Sequence, residues 1–152
     1  MSNLYDDASV AVIERQIDEW LGGFAAVNPA IVAIDRGEGD ELQWYVRMRG
    51  DDKEFITVWL TLGQRTLRYE AYVMPAPQEN AEALYENLLR RNERLVGLHF
   101  AIGIEDAVFL RGDLSLLALC ESELDRIIGS LYATTEQCFQ GLLRIGFASR
   151  FT

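Results

Sequence analysis

Three consecutive segments of this chain alternate apolar and polar residues with a period of two, and few folds satisfy that pattern. Leu42, Trp44, Val46 and Met48 alternate with Gln43, Tyr45, Arg47 and Arg49. Ile56, Val58, Leu60 and Leu62 alternate with Phe55, Thr57, Trp59 and Thr61, and Leu67, Tyr69, Ala71 and Val73 alternate with Arg68, Glu70, Tyr72 and Met74. Successive side chains of a strand point to opposite faces, so each segment is a strand with one apolar face. The connections GEGDE, GDDKE and GQRT supply the Gly and Asp residues that tight turns need. The three strands form an antiparallel meander, whose apolar face must be buried against other elements.

Those elements are helical. Val10, Ile13, Ile17, Trp20, Leu21 and Phe24 recur at three- and four-residue spacing, which predicts a first helix capped by Asp6, Asp7 or Ser9 and ended by Gly22-Gly23. Pro29 separates it from AIVAI, a short apolar strand ahead of the meander. After PAPQEN, a second helix carries Ala81, Leu84, Leu88 and Leu95 on one stripe, with Tyr85 beside it. Leu98, Phe100 and Ile102, then Val108 and Leu110, form a hairpin around Gly103 to Asp106. A third helix runs from about Glu121 to Ile145, with Leu124, Ile127, Ile128, Leu131, Cys138, Leu142 and Ile145 inward. Strands and helices in this sequence give an α+β class, an antiparallel sheet with helices, and 152 residues fit a single domain spanning 1–152.

Several chemistries are disfavoured. A net charge of −10 repels phosphate backbones, so nucleic acid is not an expected partner. No run approaches the ~18 apolar residues of a bilayer span. MSNLYDDASV lacks the basic region and apolar run of a secretory signal, so the expected location is the cytoplasm. The single histidine, His99, has no second histidine to share a metal, and DRGEGDE places glycines where a calcium loop needs ligands. No metal and no cofactor are expected. Cys120 and Cys138, eighteen residues apart in one helical segment, would stand ~27 Å from each other and read as reduced and structural. The two RGD copies, at Arg49 to Asp51 and Arg111 to Asp113, read as turns where strands end. Arg90, Arg91 and Arg94 complement the negative end of the second helix among Glu82, Glu86 and Glu93. No pair of carboxylates is placed in an apolar cleft, and Ser115 and Ser122 have no His-Asp companions in the pattern, so the chain reads as not an enzyme.

The second face of the meander is the positive signal. Tyr45, Phe55, Trp59, Tyr72 and Met74 share it with Arg47, Arg49 and Arg68. Aromatics, Met and Arg are the residues enriched at protein interfaces. Thirteen of the fourteen basic residues are arginine, which suits bidentate pairing and ring stacking. Tyr45, Arg47, Trp59, Arg68 and Tyr72 are therefore the candidate partner-binding residues. The other possibility is that a helix of the same chain covers this face.

The stretch PAPQENAEALYENLLRRNERLVGLHFAIGIEDAVFLRGDLSLLALCESELDRIIG resembles the YbjN family, a bacterial group described as sensory transduction regulators. Its pattern is a Pro-rich lead, a helix ending in LLRRN (Leu88 to Asn92), a strand pair, GxLxL (Gly112 to Leu116) and ELDxxIG (Glu123 to Gly129). GLLRIGFAS (141 to 149) is similar to actinobacterial members, and Ser115 stands where the family pattern leads to Pro. The resemblance implies the order α-β-β-β-α-β-β-α of class I type III secretion chaperones, which are small, acidic, cytoplasmic homodimers that bind extended polypeptide segments. It therefore implies a non-enzymatic protein-binding, chaperone-like or regulatory module, dimeric, holding an extended segment of another protein. The alternative is a sensory domain that binds a small ligand between sheet and helices.

Overall fold

A computed structural model describes residues 5–151; the first four residues of the stretch read as lacking a secretory signal, and Thr152, lie outside them. Helix α1 (Asp7–Val27) leads into β1 (Ile31–Arg36), β2 (Leu42–Arg49), β3 (Phe55–Leu62) and β4 (Thr66–Met74). Helix α2 (Ala81–Asn92), β5 (His99–Ile102), β6 (Val108–Ser115) and α3 (Glu121–Gly146) follow. The six strands form one antiparallel sheet in the order β1-β2-β3-β4-β6-β5. The class is α+β as expected, and AIVAI enters the sheet as the edge strand ahead of the meander.

The apolar rows behave as period two requires. Trp44, Val46, Met48, Ile56, Val58, Leu60, Leu62, Leu67, Tyr69, Ala71 and Val73 are buried. They share one core cluster with Ile17 and Leu21 of α1, Leu84 and Leu88 of α2, and Leu124, Ile127, Leu131, Cys138 and Leu142 of α3. All three helices thus pack against the same side of the sheet, and the other side carries none of them. The indole of Trp44, fully buried, donates to Asp18 Oδ1 at 2.7 Å. Asp18 and Glu14 also hold Arg36, whose guanidinium lies 4.6 Å from the Trp44 ring centroid. That cluster fastens α1 to the β1–β2 edge.

Some expectations need correction. Gly22-Gly23 does not end α1, which continues to Val27 with Asn28 as C-cap. Both glycines face open space on the outer side, and the inner stripe continues past them through Phe24, packed against the core. Tertiary burial outweighs the ~1 kcal/mol that each interior glycine costs. Met74 is not on the second face: it is fully buried. The pairing of β4 with β6 slips between Tyr72 and Met74, so a bulge breaks the alternation and turns Met74 towards α3, beside Gly146. The second RGD copy is no turn. It lies within β6, where Gly112 fits against Gly97 and the Tyr69 ring and a Cβ would collide with both. Cys120 is exposed as N-cap of α3, hence not a core residue, whereas burial pushes the Cys138 thiol up to about 11.

Two carboxylate ties fasten segments that leave β2 and β4 at one end of the sheet. Glu79 accepts from Ser149 N and Oγ at 2.6 and 2.9 Å, and Asn80 donates to the Ile145 carbonyl at 2.9 Å, satisfying the end of α3. At the β2–β3 turn, Glu136 of α3 accepts from the backbone N–H groups of Asp51, Asp52 and Lys53 at 2.8, 3.1 and 3.1 Å. Burial works to raise the Glu136 pKa, but these three donors hold it below the ordinary carboxylate value. A depressed folded-state pKa stabilises the fold above the ordinary value and loses that contribution as pH falls through the folded one. Glu136→Gln is expected to cost about 1 kcal/mol at pH 7. The gap from wild type should narrow as pH falls through the folded-state pKa, which lies below the ordinary carboxylate value. Urea melts of both proteins across pH check this.

Candidate functional site

The open side of the sheet is a grid set by strand register. Its central row crosses the sheet as Asp35, Tyr45, Trp59, Glu70, Arg111 and His99. On one side lies the row Ala33, Arg47, Thr57, Tyr72, Phe109 and Ala101, and on the other Gln43, Thr61, Arg68 and Asp113. Tyr45, Arg47, Trp59, Arg68 and Tyr72 therefore share one surface, with Arg49 and Phe55 at its margin. Arg47 and Arg68 are exposed, Tyr45 and Trp59 half-buried, and Tyr72 is 36% exposed. The helices leave this face uncovered.

Its aromatic residues interlock. Tyr45 meets Trp59 edge-on with centroids 5.7 Å apart, Trp59 meets Phe109 at 6.5 Å, and Phe109 meets Tyr72 at 5.6 Å. Such edge-to-face pairs are worth ~0.5–1.5 kcal/mol each beyond burial. Arg47 lies 3.8 Å over the Phe55 ring and Arg49 5.5 Å from it. Arg111 covers Phe109 at 4.6 Å while pairing with Glu70 at 2.8 Å. Phe109 is consequently only 2% exposed although no helix touches that side. Lys53, held by the turn that Glu136 fixes, lies 5.5 Å from the Tyr72 centroid and 5.4 Å from that of Phe139. Burial lowers its pKa, and the nearby Glu136 opposes that.

Beside the rings, the same face hollows into a polar basin of about 250 Å³. Arg68, Glu70, His99, Arg111 and Asp113 line it, with Glu41 and Gln43 at the rim. Gln43 Nε2 donates to Glu41 at 3.3 Å and to Thr61 at 3.2 Å, and the Tyr45 hydroxyl donates to Gln43 Oε1 at 3.2 Å. His99 points outward beside Arg111, opposite to buried Leu98 and Phe100. Phe109, Arg111, Glu70, His99 and Asp113 are site residues that pattern reading did not select. In VFLRG, Phe109 sits between two core residues, so apolarity alone hides its direction; only the pairing with Tyr72 reveals it.

A second surface lies at the sheet edge. Helix α2 and edge strand β5 enclose an apolar groove of about 270 Å³ between Tyr85, Leu88, Leu89, Phe100 and Ile102. Leu89 is 70% and Ile102 50% exposed. The Asn92 side chain accepts from Phe100 N at 2.6 Å and donates to Phe100 O at 3.2 Å, pairing the edge strand as a neighbouring strand would. Arg90 pairs with Glu86 at 3.2 Å and Arg91 donates to Asn87 at 2.6 Å, so the arginine run is largely tied within its own helix.

The profile of the YbjN family, described as "Putative bacterial sensory transduction regulator", matches residues 9–144. The chain belongs to the YbjN family. The match runs from α1 almost to the end of α3, so the rows, rings and groove described above all fall within the YbjN region. An uncharacterized protein of Mycobacterium tuberculosis is 36% identical over 104 residues, which cover 68% of this chain and 57% of that protein. An uncharacterized protein of Mycobacterium leprae is 32% identical over 108 residues, 71% of this chain and 59% of that protein. The chain thus matches less than two thirds of the length of these relatives.

The uncovered face gives a direct expectation. Trp59→Ala should cost about 1–2 kcal/mol from the lost ring contacts, short of the ~3–5 kcal/mol of a fully buried aromatic. Denaturant melts measure it, and a loss in the higher range would mean that the ring is core.

Proposed function

We propose that this YbjN chain is a non-enzymatic protein-binding module, chaperone-like or regulatory, of the bacterial cytoplasm. The single observation that carries this reading is the interlocked aromatic and arginine face that three helices leave open. Tyr45, Arg47, Trp59, Arg68 and Tyr72 form its contact surface, and an extended segment of another protein is its partner. Half-exposed aromatics beside arginines are the anchors that interfaces favour. The family description as a regulator supports the same reading. No helix among the described residues is long and apolar enough to cross a membrane. The helix-bounded blocks of strands, with AIVAI as one strand more than the order α-β-β-β-α-β-β-α, and the acidic charge support a type III secretion chaperone-like fold. The polar basin favours a second reading, a sensory domain whose small ligand sits on this same face.

The working unit in this proposal is a homodimer joined at the α2–β5 groove. Along α2, Glu82 and Glu86 lead and Arg90 and Arg91 follow. Two copies crossing antiparallel about a two-fold axis place the acidic half of one helix against the basic half of the other, over Leu89 and Ile102. Light scattering at micromolar concentration should give twice the chain mass, and Leu89→Glu should give the monomer with little change in the melting curve. A wild-type monomer would contradict the dimer.

The contact face is tested separately. Bait capture from the native cytoplasm, read by mass spectrometry, should yield a partner with wild type that Trp59→Ala or Arg47→Ala loses. Equal capture by all three baits would contradict the assignment of this face.

A further inference from the structure

The charges of the open face do not follow those of the chain. The sequence holds 14 basic and 24 acidic residues. The outward strand positions hold four arginines, Arg47, Arg49, Arg68 and Arg111, against three carboxylates, Asp35, Glu70 and Asp113. Of the four, only Arg111 has a carboxylate partner. Among the described residues Arg47, Arg49 and Arg68 meet no acid, although the chain has an excess of acids to offer. Arg47 instead lies 3.8 Å over the Phe55 ring and Arg49 5.5 Å from its centroid, contacts that leave guanidinium N–H groups available for a carboxylate.

We infer that the occupant of this face is an extended acidic segment of a partner protein, its carboxylates taken by Arg47, Arg49 and Arg68 and its apolar side chains by Trp59 and Tyr72. This rests on the protein-binding reading above and adds the chemistry of the partner. Ion pairs at an exposed face act within a Debye length of about 8 Å, so Arg47 and Arg49 govern contact on their side of the face, while Arg68 shares its basin with Glu41, Glu70 and Asp113. Carboxylates are the planar groups that guanidinium forks match. A single-stranded nucleic acid is the competing occupant, since aromatic sheets with arginines also bind bases. Base stacking needs open ring faces. Here the faces of Phe55 and Phe109 are already taken by Arg47 and Arg111. The net charge of −10 opposes a polyphosphate further.

The test uses the full chain and three probes. One is a capped peptide of about ten residues with glutamate and valine in alternating pairs, so that an extended chain turns both kinds of side chain to the face, and long enough to cross the six strands. The others are the same peptide with glutamine for glutamate, and an oligouridine. Fluorescence anisotropy should show binding of the acidic peptide that weakens about tenfold between about 0.05 M and 0.3 M salt, as two or three exposed ion pairs require. The glutamine peptide should bind about tenfold more weakly. Arg47→Glu with Arg68→Glu, and the milder Arg47→Gln with Arg68→Gln, should remove most of the acidic peptide's advantage. Binding of both peptides alike, lost in Trp59→Ala, would overturn the acidic assignment and leave the contact face standing. Acidic-peptide binding untouched by the arginine variants and by Trp59→Ala would overturn both. Absence of peptide binding would overturn the acidic assignment, and preference for oligouridine would overturn both.

Discussion

Trp44, Val46, Ile56, Val58, Leu60, Leu67 and Ala71 lose all contact with water beneath α1 and α3, and the rest of the molecule follows from the side on which they lie. Period two then dictates that Tyr45, Arg47, Thr57, Trp59 and Arg68 point the other way. A one-residue slip in any of these strands would exchange the two sets, so the register that seals the core also displays the rings. The apolar stripe of α3 is used up on the first side: its buried residues run from Leu124 to Leu142 and face β3 and β4. Core and contact face are one constraint seen from two sides.

The uncovered side is stabilised by its own side chains rather than by a further layer. Phe109 is withdrawn from water by Arg111, Tyr72, Trp59 and the hairpin at Gly103, with Glu70 holding Arg111 in place. The hairpin itself carries Glu105 and Asp106 at φ 58° and 57°, the left-handed region that non-glycine residues rarely occupy. Positive φ at two successive residues matches the turn that the right-handed twist of a two-strand hairpin favours. Asn92 protects the β5 edge in the same economical way, giving Phe100 its hydrogen bonds without a seventh strand.

Much of this was legible before any coordinates. Alternation named the inward and outward sets of β2, β3 and β4 almost residue by residue, because a strand half-buried against helices leaves no other periodicity. The N-cap of α1 and the stripes of α1 and α3 are equally plain, apart from Gly22-Gly23, where burial of Phe24 outweighs a local helix-breaking signal. Met74 departs from the alternation because a bulge is a property of two paired strands and leaves no mark on one. Phe109 and the second RGD copy were hidden for a related reason: β6 is apolar on both sides at Val108 to Leu110, and its Gly112 answers to the distant Tyr69 ring. The five residues chosen for contact do share a surface. Their partners Glu70, Arg111 and Asp113 come from register across β4 and β6, which sequence spacing does not encode.

The central claim is that one side of the sheet is sealed and the other displayed. Hydroxyl-radical footprinting with mass spectrometry measures that difference within single molecules, since Trp59 and Trp44 lie on adjacent strands with opposite directions, as do Tyr72 and Tyr69 within β4. The account predicts rapid oxidation of Trp59 and Tyr72 and protection of Trp44 and Tyr69 until the fold is unfolded by denaturant. Protection of Trp59 and Tyr72 equal to that of Trp44 and Tyr69 in the isolated chain would contradict it.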